Sequence, residues 1–185
     1  TPANATKDTP FENTLGMKFV PVPISGGPTH GKRVLFSVWE TRVQDYERFV
    51  KETKREWTKP PFAQAPDHSA VNMSWDDATA FCIWLTERER KAGKLGASEG
   101  YRLPADHEWS YAVGIGLQED AAKSPAQKDR ALAGLYPWGT VWPPPANAGN
   151  YAGEEMLSAK MPGRHPHASP CLGYRDAYVE TAPAG

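Results

Sequence analysis

The sequence predicts a mixed α+β fold with few, short strands, about three helices and long ordered loops. The chain of 185 residues contains 18 Pro and 16 Gly, which interrupt periodic elements. Its 7 Trp and 7 Tyr can anchor irregular chain through large apolar contacts. A hydrophobic content of 39% suffices for one sizeable core.

A hairpin is predicted near the N-terminus of the chain. Residues 17–23 alternate in polarity and contain two prolines, which favours an edge strand because proline cannot donate to a central ladder. A glycine-rich turn over 25–31 leads to a returning strand over 33–39. Residues 1–10 have little to bury, so we expect a disordered lead-in before a domain over residues 11–185.

Two capping boxes predict the main helices. Thr41 with Gln44 precedes apolar residues at helical spacing and predicts a helix from about 42 to 54. Ser74 with Asp77 begins a second helix that ends near the next glycine. Its predicted buried stripe comprises Ala78, Phe81, Cys82 and Leu85. Its predicted solvated residues are Glu87, Arg88, Glu89, Arg90 and Lys91.

A third helix is predicted over residues 106–113, directly after a proline-containing approach. Asp106 and Glu108 lie in its first turn, where acidic side chains complement the helix dipole. The polar stretch over 117–134 predicts a surface insertion with a weak helix. After residue 149 the sequence shows no periodicity.

Composition excludes several classes of partner. The formal net charge of -1 gives no electrostatic basis for binding nucleic acid. No apolar run approaches the roughly 20 residues that span a bilayer, so no membrane segment is expected. Two cysteines are too few for a disulfide scaffold; Cys82 is expected to be a buried thiol, whereas Cys171 could be free or paired elsewhere.

Five ordered motifs resemble the formylglycine-generating enzyme, or sulfatase-modifying factor, family. They lie at residues 13–23, 40–49, 70–85, 101–112 and 136–139. This resemblance implies a formylglycine-generating-enzyme-like (C-type-lectin-like) fold over residues 11–185. Ala105 stands where the family commonly has Thr or Ser, so we expect Asp106 to cap the third helix in its place.

The same resemblance implies that the domain is truncated at its C-terminus. In the family the following segment carries a glycine- and tryptophan-rich hairpin and two redox-active cysteines. We therefore expect a fold that a second polypeptide could complete.

The resemblance also implies a structural calcium ion between two irregular turns. The corresponding positions are Asn150 with Tyr151 and Asp176 with Tyr178, which supply a carboxamide, a carboxylate and backbone carbonyls. Calcium suits such a set because it accepts about six to eight hard oxygen ligands in loose geometry. The alternative interpretation is that Asn150 and Asp176 are turn residues making local hydrogen bonds.

Other candidate chemistry in the sequence is weaker. His165, His167 and Cys171 could be interpreted as zinc or copper ligands, but the prolines between them and the missing fourth ligand favour a plain loop. Five tryptophans are expected to anchor the core or the loops rather than to stack on sugars: Trp75, Trp84, Trp109, Trp138 and Trp142.

Two main functional hypotheses follow. The first is a non-catalytic or incomplete formylglycine-generating-enzyme-like domain, a calcium-stabilised scaffold that binds a protein or a small-molecule ligand. The alternative is a copper-dependent oxidase that converts a sulfatase cysteine to formylglycine. Its cysteine pair must come from elsewhere, because Cys82 and Cys171 match neither catalytic position. Calcium-dependent carbohydrate binding rests on fold analogy alone. The compartment is not set, and an extracytoplasmic bacterial location stays open.

Overall fold

The computed structural model describes residues 1–157 and 169–185, which divide into two compact units. The first unit is Thr1–Leu132 together with Ala184–Gly185, and the second is Ala133–Pro183. In the described residues, two longer helices, several short ones and one small sheet make up the regular structure, as the predicted mixed α+β class requires. Within the described ranges, no helix combines the length and apolar character needed to cross a membrane.

The sheet of the first unit has three antiparallel strands. They are β1 (Phe11–Glu12), β2 (Lys18–Val22) and β3 (Val34–Ser37), in the spatial order β1-β2-β3. The predicted hairpin is confirmed, since β2 pairs with β3. The prediction that β2 is an edge strand is wrong, because β2 lies between the other two. Its Pro21 is tolerated because β1 is so short that its pairing reaches only to Phe19.

The first residues of the chain form part of the first unit instead of the disordered lead-in expected over 1–10. A 3-10 helix spans Pro2–Asn4, and Ala5 is only 5% exposed within the core. The Arg33 guanidinium donates to the carbonyls of Pro2 and Ala5. These contacts join residues 28 or more positions apart, so no local pattern could predict them.

The first long helix, α1, covers Val43–Thr53 and confirms the bounds predicted from its spacing. Its predicted cap is wrong by one residue. The Asp45 carboxylate accepts the Arg42 backbone N–H at 3.2 Å and the Arg42 Nε at 2.9 Å, so this pair replaces Thr41 and Gln44. A charged partner makes this hydrogen bond stronger than one to a neutral amide.

The second long helix, α2, covers Trp75–Lys91, and Ser74 caps it as predicted. The Asp77 N–H donates to Ser74 Oγ at 3.1 Å, while the Ser74 N–H donates to Asp77 Oδ2 at 2.9 Å. The prediction that Glu89 stays solvated is wrong, because its exposure is 0%. The Thr14 backbone N–H and hydroxyl both donate to this carboxylate. These hydrogen bonds offset the free-energy cost of removing the carboxylate from water.

The core of the first unit joins the sheet to α1 and α2. Its buried members are Ala5, Phe11, Met17, Phe19, Tyr46, Phe49, Phe81 and Leu85. Aromatic rings dominate the contact between the helices: Phe49 and Phe81 meet edge to face, with their centroids 5.7 Å apart. Leu85 is 1% exposed, so the core of the predicted α2 stripe is confirmed.

Two short helices follow: α3 (Asp106–Ala112) and α4 (Pro125–Lys128). The Glu108 carboxylate is fully buried and forms a two-point pair with the Arg102 guanidinium, with both N–O distances 2.6 Å. It also accepts the Ala105 N–H at 2.8 Å. The expectation that Asp106 caps α3 is therefore wrong; Asp106 instead pairs with Lys128 at 2.6 Å.

The loop between β2 and β3 packs on the start of α3. Thr29 Oγ1 lies 2.8 Å from His107 Nε2, and His107 is 8% exposed. Gly27 has φ +73°, and a Cβ there would lie 2.6 Å from His107 Cδ2. Only glycine fits this position without a shift of the imidazole or the loop.

Candidate functional site

The structure brings together, within the second unit, the two turns predicted to hold calcium. Asp176 Oδ2 accepts the backbone N–H of Tyr151 at 2.7 Å, across 25 positions of sequence. Asp176 Oδ1 accepts the backbone N–H of Tyr178 at 2.8 Å. The Asn150 side chain donates through Nδ2 to the carbonyl of Glu180 at 2.8 Å. One carboxylate thus connects both turns.

A buried tyrosine bonds to the same segments. Tyr174 is 2% exposed, its hydroxyl donates to the Gly149 carbonyl, and its own carbonyl accepts the Glu154 N–H at 3.0 Å. The Gly173 N–H and the Arg175 guanidinium both bond the Glu154 carboxylate, which lowers the pKa of that carboxyl. Tyr174 and Glu154 belong to no periodic element, so no sequence pattern predicts their roles.

The donors at this site are hard oxygen atoms. Each Asp176 oxygen accepts one N–H and retains further lone pairs, and Asn150 uses only its amide nitrogen toward Glu180. Across residues 1–157 and 169–185, no three His, Cys, Asp or Glu side chains converge. A cation here would therefore depend on carboxamide and backbone oxygens beside one carboxylate. That chemistry fits calcium better than a thiophilic metal.

Aromatic side chains extend from this site through the second unit. Tyr136 stacks on Trp138 with ring centroids 5.2 Å apart, Trp138 meets Tyr151 at 5.3 Å, and Tyr151 meets Tyr174 at 5.9 Å. Three of the five predicted anchors are more than half exposed, namely Trp75 (70%), Trp109 (57%) and Trp142 (57%). The prediction that they anchor the core is wrong for Trp75 and Trp109, whereas Trp142 contacts the loop residue Tyr136 with ring centroids 5.3 Å apart.

The two cysteines are free and half-buried. Burial raises the pKa of the Cys82 thiol to about 11, so Cys82 stays protonated at neutral pH, as expected for a buried thiol. Cys171 donates its backbone N–H to the Ala152 carbonyl at 2.6 Å. The histidines of the predicted loop, His165 and His167, lie outside the described residues.

A groove of about 740 Å³ lies beside β3 in the first unit. Its apolar lining includes Phe19, Leu35, Val38, Met73, Phe81 and Leu103. Ser37 and Trp39 also line it. Ser37 Oγ and Trp39 Nε1 are buried, and neither atom has a hydrogen-bond partner in the described part of the chain. The lining of this groove comes from several segments far apart in sequence, so no local pattern predicts it.

The motifs that form these units also occur in known enzymes. The formylglycine-generating enzyme of Streptomyces coelicolor is 30% identical over 132 residues, which cover 69% of this chain and 30% of that protein. The enzyme of Bos taurus is 34% identical over 79 residues, 43% of this chain and 14% of that protein. The enzyme of Mus musculus is 32% identical over 78 residues, which cover 42% of this chain and 13% of that protein.

The matched stretches thus span less than a third of the length of these relatives. No solved structure matches the chain significantly. The family described as sulfatase-modifying factor enzyme 1-like domain matches residues 31–179, which include both the core helices and the paired turns. By this match, the chain belongs to the sulfatase-modifying factor enzyme 1-like domain family.

Proposed function

We propose that this chain is a non-catalytic or incomplete formylglycine-generating-enzyme-like domain that serves as a calcium-stabilised scaffold for a protein or small-molecule ligand. The observation that supports it best is the Asp176 carboxylate, which bonds the Tyr151 N–H at 2.7 Å. This contact ties two irregular segments at the positions where an oxygen-bound cation is expected. Irregular chain gains order when a divalent cation joins its oxygens.

The proposed ion would be held by the side chains of Asn150 and Asp176 and by the backbone carbonyls of Tyr151 and Tyr178. It would balance the Asp176 charge and restrain both turns. With one carboxylate among its ligands the site should be weak, with a Kd of about 0.1 to 1 mM. At a calcium concentration about ten times the Kd, binding would stabilise the fold by about 1.4 kcal/mol.

Thermal unfolding of the full chain, with calcium and with a chelator, tests this proposal. We expect calcium, and not magnesium, to raise the Tm, and we expect Asp176→Asn to remove the increase. Asp8→Asn is the matched control, because it neutralises an exposed carboxylate of the first unit. An unchanged Tm of the natural chain in calcium, or an equal response of Asp176→Asn, would refute the proposed ion.

The scaffold part of the proposal rests on surface chemistry. A partner that is a protein or a small molecule suits the groove beside β3, whose lining is mostly apolar. The formal net charge of -1 offers nothing that favours a nucleic acid.

The second candidate is a copper-dependent oxidase that converts a sulfatase cysteine to formylglycine. The names of the relatives favour it, since all three are formylglycine-generating enzymes. Copper would supply one-electron chemistry from a pair of thiolates, and neither Cys82 nor Cys171 is paired. Mass spectrometry of a cysteine-containing sulfatase peptide, incubated with the chain, copper and oxygen, decides between the two. Formylglycine in the product would favour the oxidase and refute the non-catalytic role.

A further inference from the structure

We propose that two side chains, Tyr174 and Glu154, assemble the turns at 149–151 and 176–178 before calcium binds, and thereby set the calcium affinity of the site. This inference rests on the proposed function and identifies what regulates the affinity of that same site. Both are positioning residues, because neither supplies a proposed ligand oxygen. Three observations carry it: the bonds of the Tyr174 hydroxyl, the packing of its ring and the bonds of the Glu154 carboxylate.

The Tyr174 hydroxyl joins the first turn to the segment that leads into the second. It donates to the Gly149 carbonyl and accepts the Gly149 N–H at 3.3 Å. Gly149 directly precedes the proposed ligand Asn150, and Tyr174 lies two positions before Asp176. Tyr174 is only 2% exposed, so water competes little for its hydroxyl. One buried hydroxyl therefore restrains the two segments that carry both ligand side chains.

The ring of Tyr174 packs against the ring of Tyr151, whose backbone carbonyl is a proposed ligand. The two centroids lie 5.9 Å apart with an interplanar angle of 74°, an edge-to-face contact that aromatic rings favour. Trp138 contacts Tyr151 in the same manner at 5.3 Å. These ring contacts and the hydroxyl bonds use none of the proposed ligand oxygens. They can therefore hold the turns together whether or not a cation is bound.

The Glu154 carboxylate bonds the chain on either side of Tyr174. Its Oε1 accepts the Gly173 N–H at 2.8 Å, and its Oε2 accepts the Arg175 Nε at 3.0 Å. The Glu154 N–H in turn donates to the Tyr174 carbonyl at 3.0 Å. The pairing also balances the charge of Arg175, the sequence neighbour of Asp176, which would otherwise oppose the binding of a divalent cation.

Turns that are already assembled bind a cation more tightly than turns that must first be ordered. Ordering irregular chain costs conformational entropy. The apparent Kd equals the intrinsic Kd divided by the fraction of molecules whose turns are assembled. The bonds of Tyr174 and Glu154 raise that fraction. Removing them should raise the apparent Kd, although every proposed ligand residue is still present.

Terbium luminescence with calcium competition measures the affinity of the full chain. Terbium(III) takes hard oxygen ligands as calcium does, and it emits when a nearby aromatic ring such as that of Tyr151 is excited. In the natural chain we expect terbium emission that calcium reduces. Tyr174→Phe should raise the Kd for calcium by about three- to tenfold, because it loses a hydrogen-bonded hydroxyl. Tyr111→Phe is the matched control, since its hydroxyl accepts the Ser25 hydroxyl in the first unit, and it should leave the Kd unchanged.

Amide hydrogen exchange distinguishes positioning from general stability. In chelator, residues 149–157 of Tyr174→Phe should exchange about threefold or more faster than in the natural chain, and calcium should restore their protection. A merely structural role would lower the Tm equally with and without calcium and leave the Kd of the folded chain unchanged. If Tyr174→Phe does not fold, Glu154→Gln decides. It removes the charge that pairs with the exposed Arg175 and should raise the Kd by about threefold.

Two results would overturn the inference while calcium binding by the natural chain stands. One is an equal Kd for calcium in the natural chain and in the folded positioning variant. The other is equal exchange of residues 149–157 in chelator. A natural chain that shows neither terbium emission nor a calcium-dependent Tm would instead refute the proposed ion itself, and this inference with it.

Discussion

Replacing Glu108 by glutamine tests the buried ion pair at the start of α3. Glu108 accepts both Arg102 Nη atoms at 2.6 Å, and the pKa of its carboxyl is lowered from 4.5 to about 2, chiefly by these bonds. A lowering of this size corresponds to about 3 kcal/mol, and the exposure of Arg102 (52%) reduces the expected effect to about 2 kcal/mol. The variant should lose this amount at neutral pH, because its amide cannot bond both Nη atoms.

The stabilisation by Glu108 should depend on pH. A carboxyl with a lowered pKa stabilises the fold above its unfolded pKa of about 4.5, and the stabilisation is lost as the pH falls toward about 2. Urea unfolding of both proteins, at neutral pH and at about pH 2.5, should therefore show the difference shrinking in acid. Glu87→Gln is the control, as that carboxylate is exposed on α2. A difference that stays constant across this range would refute the reasoning.

Three further predictions concern packing and reactivity. Leu85→Ala should reduce the free energy of unfolding by about 3 kcal/mol, and Ile83→Ala, at a site 56% exposed, by under about 1 kcal/mol; similar urea midpoints would contradict this. Gly27→Ala should destabilise more than Gly31→Ala by about 1 to 3 kcal/mol, since both have positive φ but only Gly27 faces an imidazole; equal Tm values would count against it. Cys82 should be alkylated slowly at neutral pH, with a rate that rises up to about pH 11; rapid labelling of the folded chain at neutral pH would be inconsistent with its raised pKa.

The elements of the first unit that were predicted correctly depend on neighbouring residues. Ser74 and Asp77 lie three positions apart and cap α2 through mutual bonds of 3.1 and 2.9 Å. The β2–β3 hairpin likewise follows from a glycine-containing loop between two segments of apolar, strand-forming residues. Local sequence determines such features because both partners are present in the same short window.

The features that were missed depend on residues far apart in sequence. Glu89 is charged and lies at a position in α2 where a surface residue is expected. It is buried nevertheless, because Thr14, 75 positions earlier, donates hydrogen bonds to its carboxylate. Ala5 enters the core because Arg33 fixes the backbone around it. Propensity and periodicity describe only the residue's own element, so they carry no information about such partners.

The calcium site stays a prediction, although the residues proposed for it lie near one another. The resemblance named Asn150, Tyr151, Asp176 and Tyr178, and the structure places Asp176 within hydrogen-bonding distance of Tyr151 and Tyr178. The supporting roles of Tyr174 and Glu154 arise from folding of irregular chain, for which no periodic signal exists. The calcium ion itself stays a prediction.

The packing of the first residues has a practical consequence for protein engineering. Ala5 is 5% exposed, and Arg33 donates to the carbonyls of Pro2 and Ala5. A recombinant version that starts at residue 11 would therefore leave a cavity in the hydrophobic core and an Arg33 guanidinium without its acceptors. Purification tags and fluorescent reporters joined at Thr1 should be separated by a flexible spacer, so that these ten residues can dock before the appended sequence restricts them.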